Sequence, residues 1–176
     1  MVQIPPGHIQ SLTGRTMNNY NKLALQKAVK VLKDLHFKEE NIMVTGSIAL
    51  DLQGVVTRVA HDVDLIIKMD DETWKCMKLI EAVNNADNEN EIFMDTPDGL
   101  KVPKDEYLNA RKNTIFLDVD GLVLNIWRYE GEWSDIKEAE TGVYVATVEH
   151  ILNAKKKYAR PKDYQDINQI CKKILE

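Results

Sequence analysis

The stretch VTGSIALDLQGVVTRVAHDVDLII, from Val44 to Ile67, holds the residue types best suited to chemistry. Asp62 and Asp64 stand one residue apart in an apolar, β-branched run that reads as a strand. Alternate strand residues share a face, so the two carboxylates project together. Like charges at that spacing repel unless a proton or a cation intervenes. A hard cation such as Mg2+, held by carboxylate oxygens and by the phosphates of a substrate, suits such a pair. Upstream, Gly46 permits close backbone approach, and Ser47 opens a short helix whose free N–H groups can seat a phosphate. Together these features describe a site for a nucleoside triphosphate and a metal. Singly, a D-x-D or a Gly-Ser pair is common at solvated strand ends and turns. The specific signal is their order, strand, Gly-Ser, short helix, then a strand carrying both aspartates.

The elements that must position these residues follow from periodicity. After an irregular arm over 1–16, rich in Pro and Gly, Leu25, Ala28, Val29, Leu32 and Leu35 recur at helical spacing. A short strand, Ile42 to Thr45, precedes Gly46, and Gly54 ends the short helix. DVDLIIK reads as a strand. DDETWKCMKLIEAVNNA reads as a helix capped by Asp70 or Asp71, with Trp74, Met77 and Ile80 on one face. DNENE reads as polar loop, and TPDG suggests a turn in the irregular stretch from Asp95 to Asn113. Two apolar runs broken by Asp120-Gly121 predict a tight hairpin. VYVA then enters a helix through HILNAKKKYA, and Pro161 fits the first turn of a last helix. The expected fold class is α/β or α+β. It has a mixed, mostly antiparallel sheet flanked by helices, with the C-terminal helices over 147–176 closing a cleft.

A chain of 176 residues, 44% apolar and 29% charged, reads as one globular domain over 1–176. The net charge of −5 argues against a broad nucleic-acid surface. The basic run AKKKYARPK leaves a local nucleic-acid patch open, although a solvated helix face is the favoured reading. Cys76 and Cys171 lie far apart in helical segments, so neither a disulfide framework nor a zinc site is indicated. With no membrane-length apolar span and no signal peptide, the expected compartment is the cytoplasm and no membrane partner is expected.

The pattern G-S, a gap, then D-h-D-h (h apolar) resembles the nucleotidyltransferase superfamily related to DNA polymerase beta. It most resembles the small bacterial branch that includes antibiotic nucleotidyltransferases and abortive-infection toxins. That branch commonly carries an arginine four residues before the first aspartate, matched here by Arg58. Near its C-terminus it often carries K…R-x-K-D-x-x-D, matched by Lys155, Arg160, Lys162, Asp163 and Asp166. The resemblance spans roughly residues 20–170. It implies Mg2+-dependent transfer of a nucleoside monophosphate from an NTP to a hydroxyl on a small molecule, tRNA or protein, with release of pyrophosphate and with two metal ions possible. It implies Asp62 and Asp64 as metal ligands, Gly46, Ser47 and Arg58 as phosphate-binding residues, and Lys155 as a neutraliser of the triphosphate.

The family's third carboxylate is matched by Asn125, in GLVLNIW. An amide oxygen can coordinate a metal, but an amide cannot serve as a general base. Asp118 and Asp120 are alternatives, although turn chemistry accounts for Asp120. Asn125 therefore also supports a second expectation, a catalytically weakened or non-enzymatic member that binds a nucleotide or a partner protein. His61, Trp127 and Trp133 are further candidates for substrate contact, each with a packing or surface role as the simpler reading. Asp163 and Asp166 are expected to cap the last helix and to pair with Arg160 or Lys162.

Overall fold

The computed structural model describes residues 19–55, 58–85, 93–95, 101–103, 113–158 and 161–176. The N-terminal arm, the DNENE loop, the TPDG turn and Arg160 lie outside these residues.

Helix α1 (Asn19–Asp34) buries Leu25, Ala28, Val29 and Leu32 of the predicted stripe, while Leu35 falls just past the helix end and is partly buried. A short 3-10 turn, Glu39–Asn41, delivers the chain into β1 (Ile42–Thr45). Helix α2 (Gly46–Leu52) begins at the next residue, with no linker. This immediate reversal requires Gly46 at φ +66°, a left-handed conformation that glycine adopts at little cost. Strand β2 (Asp62–Ile67) follows, then α3 (Asp71–Asn85), capped by Asp70 Oδ1, which accepts the Thr73 N–H at 2.7 Å.

Beyond α3 the structure adds an antiparallel pair absent from the sequence reading, β3 (Phe93–Asp95) with β4 (Lys101–Pro103). The hairpin of β5 (Thr114–Val119) and β6 (Leu122–Arg128) turns at Asp120 and Gly121. Both turn residues have positive φ, as a two-residue turn of this hand demands. Strand β7 (Tyr144–Val145) leads into α4 (Val148–Tyr158), and α5 (Pro161–Leu175) packs on α4.

The main sheet has the order β5-β6-β2-β1-β7. Strand β2 runs antiparallel to β1 and parallel to β6, β1 runs parallel to β7, and β5 runs antiparallel to β6. The five-stranded sheet is thus evenly mixed, where mostly antiparallel pairing was expected. The long connections 68–121 and 129–143 return β6 and β7 beside their parallel neighbours. Strand alternation divides the sheet into two faces. Val63, Leu65, Ile67, Leu124, Ile126, Ile115 and Leu117 form the core face. Asp62, Asp64 and Asn125 occupy the other.

The outer edge strand β5 is closed by side chains of α3. Lys78 Nζ donates to Thr114 O at 2.9 Å, and Asn84 Nδ2 donates to Asp118 O at 3.0 Å. Between them the buried Glu81 carboxylate accepts the Phe116 N–H at 2.5 Å and the Lys78 ammonium at 2.7 Å. Positions three apart on the helix meet positions two apart on the strand, so the outward backbone groups of β5 gain partners without another strand. Among the described residues, no helix is long and apolar enough to cross a membrane.

Candidate functional site

The site lies where β1 ends, α2 begins and β2 starts. Thr45 pairs with Asp64 across β1 and β2, so the Gly46 turn sits directly beside the second aspartate. A Cβ built on Gly46 would stand 3.0 Å from Asp64 Cγ and overlap its Oδ2. Gly46 is therefore needed twice, for its φ and for the space that the carboxylate fills.

Asp64 is also in register with Asn125 across the parallel β2–β6 pair. The Asn125 side chain is buried, and its Nδ2 donates to Asp62 Oδ2 at 2.5 Å and to Asp64 Oδ1 at 3.3 Å. The two carboxylates thus converge on one point, held by an amide N–H2 group. Asp118 and Asp120 belong to the hairpin tip, where Asp118 Oδ1 accepts the Gly121 N–H at 2.9 Å. Among the described residues, no cluster of three or more His, Cys, Asp or Glu side chains could hold a metal ion. The oxygen donors at the centre come from Asp62, Asp64 and, after an amide turn, Asn125. That all-oxygen set fits a hard cation such as Mg2+.

A second cluster closes the other side. Arg58 donates to the fully buried Asp166 through Nε at 3.1 Å and Nη2 at 2.7 Å. Lys155 Nζ donates to Asp166 Oδ2 at 2.7 Å and lies 3.7 Å from Asp163 Oδ1. Among the described residues, the cations that hold Asp166 come from the β2 approach and from α4. The expected pairing with Arg160 or Lys162 falls on side chains outside the described residues. The Asp166 hydrogen bonds, with the fields of Asp62 and Asp64, hold the Arg58 guanidinium above its ordinary pKa against the cost of burial. Burial alone would raise the Asp166 carboxyl, but the hydrogen bonds and charges of Arg58 and Lys155 outweigh it and hold Asp166 below its ordinary value.

The backbone at Arg58 is fixed from α1. Asn21, fully buried, donates to Arg58 O at 3.0 Å and to Asp51 Oδ2 at 2.9 Å, and its Oδ1 accepts the Ala60 N–H at 2.8 Å. Sequence reasoning missed Asn21, whose polar side chain at a buried helical position gave the only signal. It noticed Asp166 but did not foresee Arg58 and Lys155 as its partners.

A cleft of about 580 Å³ is lined by Gly46, Asp64, Ile66, Trp127 and Lys155 among others, and so takes one member from each cluster. Ser47 follows Gly46 into the first turn of α2 and is half-buried. His61 is exposed at the start of β2. Trp127 lines the cleft. Trp133 packs instead between Tyr129 and Tyr144, with ring centroids 5.5 and 5.6 Å away, and the Lys68 ammonium lies 4.3 Å from its ring centre.

No protein-family model matches the chain, and no curated protein matches it. Among solved structures, the chain is similar to one from Thermotoga maritima described as a "putative nucleotidyltransferase". The identity is 19% and the TM-score 0.46, with 92% of this chain and 99% of that one covered.

Proposed function

We propose that the chain is a Mg2+-dependent nucleotidyltransferase that moves a nucleoside monophosphate from an NTP to a hydroxyl-bearing acceptor. The observation that carries this reading is the convergence of Asp62 and Asp64 beside the left-handed Gly46 turn. Two carboxylates brought to one point, flanked by backbone that only glycine allows, suit a cation and a phosphate chain better than a structural role.

Asp62 and Asp64 would hold the cation. Bound there, a divalent cation supplies charge neutralisation for the triphosphate and fixes its geometry. Gly46 and Ser47 offer backbone N–H groups at the start of α2. Arg58 and Lys155, braced by Asp166, stand on the phosphate side. In the transfer, the acceptor oxygen forms a bond to the α-phosphorus while the α–β bridging bond breaks and pyrophosphate leaves with its electron pair. Of the three side chains at the centre, only Asp62 and Asp64 can take the hydroxyl proton, because an amide is not a base.

Calorimetric titration with ATP, GTP, CTP and UTP, with and without Mg2+, tests the binding half. Incubation with labelled NTPs over aminoglycosides, tRNA and protein tests transfer. Asp64→Ala is expected to abolish Mg2+-dependent binding. Nucleotide affinity indifferent to both Mg2+ and Asp64 would sink the reading. Asn125 favours a second reading, in which the same site binds a nucleotide without transferring it. Tight Mg2+-NTP binding with no product over those acceptors would select that alternative.

A further inference from the structure

The cleft has a wall made by one face of α4. His150, Asn153, Ala154 and Lys157 recur at the spacing of a single helical face, and all four line the cavity. Among the described residues, the Lys and Arg side chains lining this cavity are Arg128, Lys155 and Lys157. Two of these are already engaged. Arg128 Nη1 lies 2.6 Å from Asp71 Oδ1, and its Nε donates to Met69 O at 3.1 Å. Lys155 is bound to Asp166, and only 11% of its side chain is exposed. Lys157 is exposed and has no carboxylate partner among the described residues.

An ammonium whose charge is offset by a buried carboxylate gives less to an incoming anion than one that meets only water. We infer that Lys157 is the lysine of this cleft that meets the terminal phosphates of a bound triphosphate, where the family resemblance had pointed to Lys155 as the neutralising lysine. This rests on the nucleotide reading above and adds a binding residue to it. Lys155 then serves mainly as a brace, joining α4 to Asp166. The competing role for Lys157 is favourable charge at the C-terminal end of α4, where it follows Lys155 and Lys156. A lysine acting only on the helix dipole would leave ligand affinity untouched.

The test uses the full chain and three titrants in Mg2+, namely ATP, inorganic tripolyphosphate and adenosine. Lys157→Gln is expected to weaken ATP and tripolyphosphate on the order of tenfold or more, as for a lost hydrogen bond to a charged group. It should leave adenosine affinity and Tm unchanged, and Lys157→Arg should restore most of the loss. Lys155→Gln is expected to lower Tm. Tripolyphosphate binding equal in wild type and Lys157→Gln would overturn the assignment and leave the nucleotide reading standing, as would a matching loss for adenosine. Wild-type protein that binds neither ATP nor tripolyphosphate would sink both.

Discussion

At the scale of single residues, the site depends on what glycine and asparagine uniquely allow. Gly46→Ala should cost about 1–2 kcal/mol for the left-handed backbone alone. The added methyl must also displace the Asp64 carboxylate. The two effects separate in a double-mutant cycle. In an Asp64→Ala background only the backbone cost should remain, so the coupling measured by urea unfolding should be clearly non-zero. Additive changes would show that Gly46 and Asp64 do not press on each other. Asn125 makes the complementary case. Asn125→Asp places a third carboxylate against Asp62 and Asp64 and removes the amide donor between them. Melting temperature should fall without divalent cation and recover in Mg2+, as a cation offsets the repulsion. A fall that Mg2+ leaves untouched would exclude Asn125 from any metal site.

At the scale of elements, the closure of β5 by α3 yields a sharp expectation. Glu81→Leu removes the acceptor of the Phe116 N–H and the partner of Lys78 in a buried setting. The loss should be about 1–3 kcal/mol, and the newly bare strand edge should promote self-association, visible by light scattering. A monomeric variant as stable as wild type would show that the α3 side chains are incidental. This element also shows what was legible in the sequence. Periodicity gave α1, the D-x-D strand and its two faces, and the Asp120-Gly121 turn, because each is encoded within a dozen residues. Trp74, Met77 and Ile80 were expected on one face of α3; Met77 is buried and Trp74 packs partly against the core, but Ile80 is exposed. The use of Lys78, Glu81 and Asn84 as partners for a strand more than thirty positions away was not visible. A polar residue at a helical position announces that it is polar and says nothing of what it will meet. The same blindness hid Asn21 and left Lys157 indistinguishable from its neighbours in the run Lys155–Lys157. The parallel placement of β6 against β2 was also beyond local pattern, because it depends on the path of the whole connection between them.

At the scale of the molecule, Asp166 ties together regions distant in sequence. It joins Arg58, 108 positions earlier, to Lys155 on α4, and so fastens the C-terminal helix pair to the approach of the D-x-D strand. Its carboxyl is held below the ordinary value of 3.8 in the folded chain and returns towards it on unfolding. Between the depressed folded value and 3.8 the unfolded state binds more protons, so stability must rise with pH across that window. The contribution is therefore fully present above the unfolded value and is lost as pH falls through the folded one. Glu39 and Asp70 are also held low, by their own local hydrogen bonds, and would add to acid lability in any form of the protein. Comparison with Asp166→Asn cancels them. At neutral pH the variant leaves Arg58 and Lys155 without their buried counter-charge, and the expected loss is about 3 kcal/mol. Below pH 4 wild type should lose stability faster than the variant, and the two unfolding curves should converge as Asp166 itself protonates. Urea midpoints measured from pH 7 down to the acid limit read both features. Curves offset at neutral pH but parallel in acid would mean that Asp166 titrates like a free carboxylate and that its pairing does not fasten the helices. Curves that coincide throughout would remove it from the stability of the fold altogether.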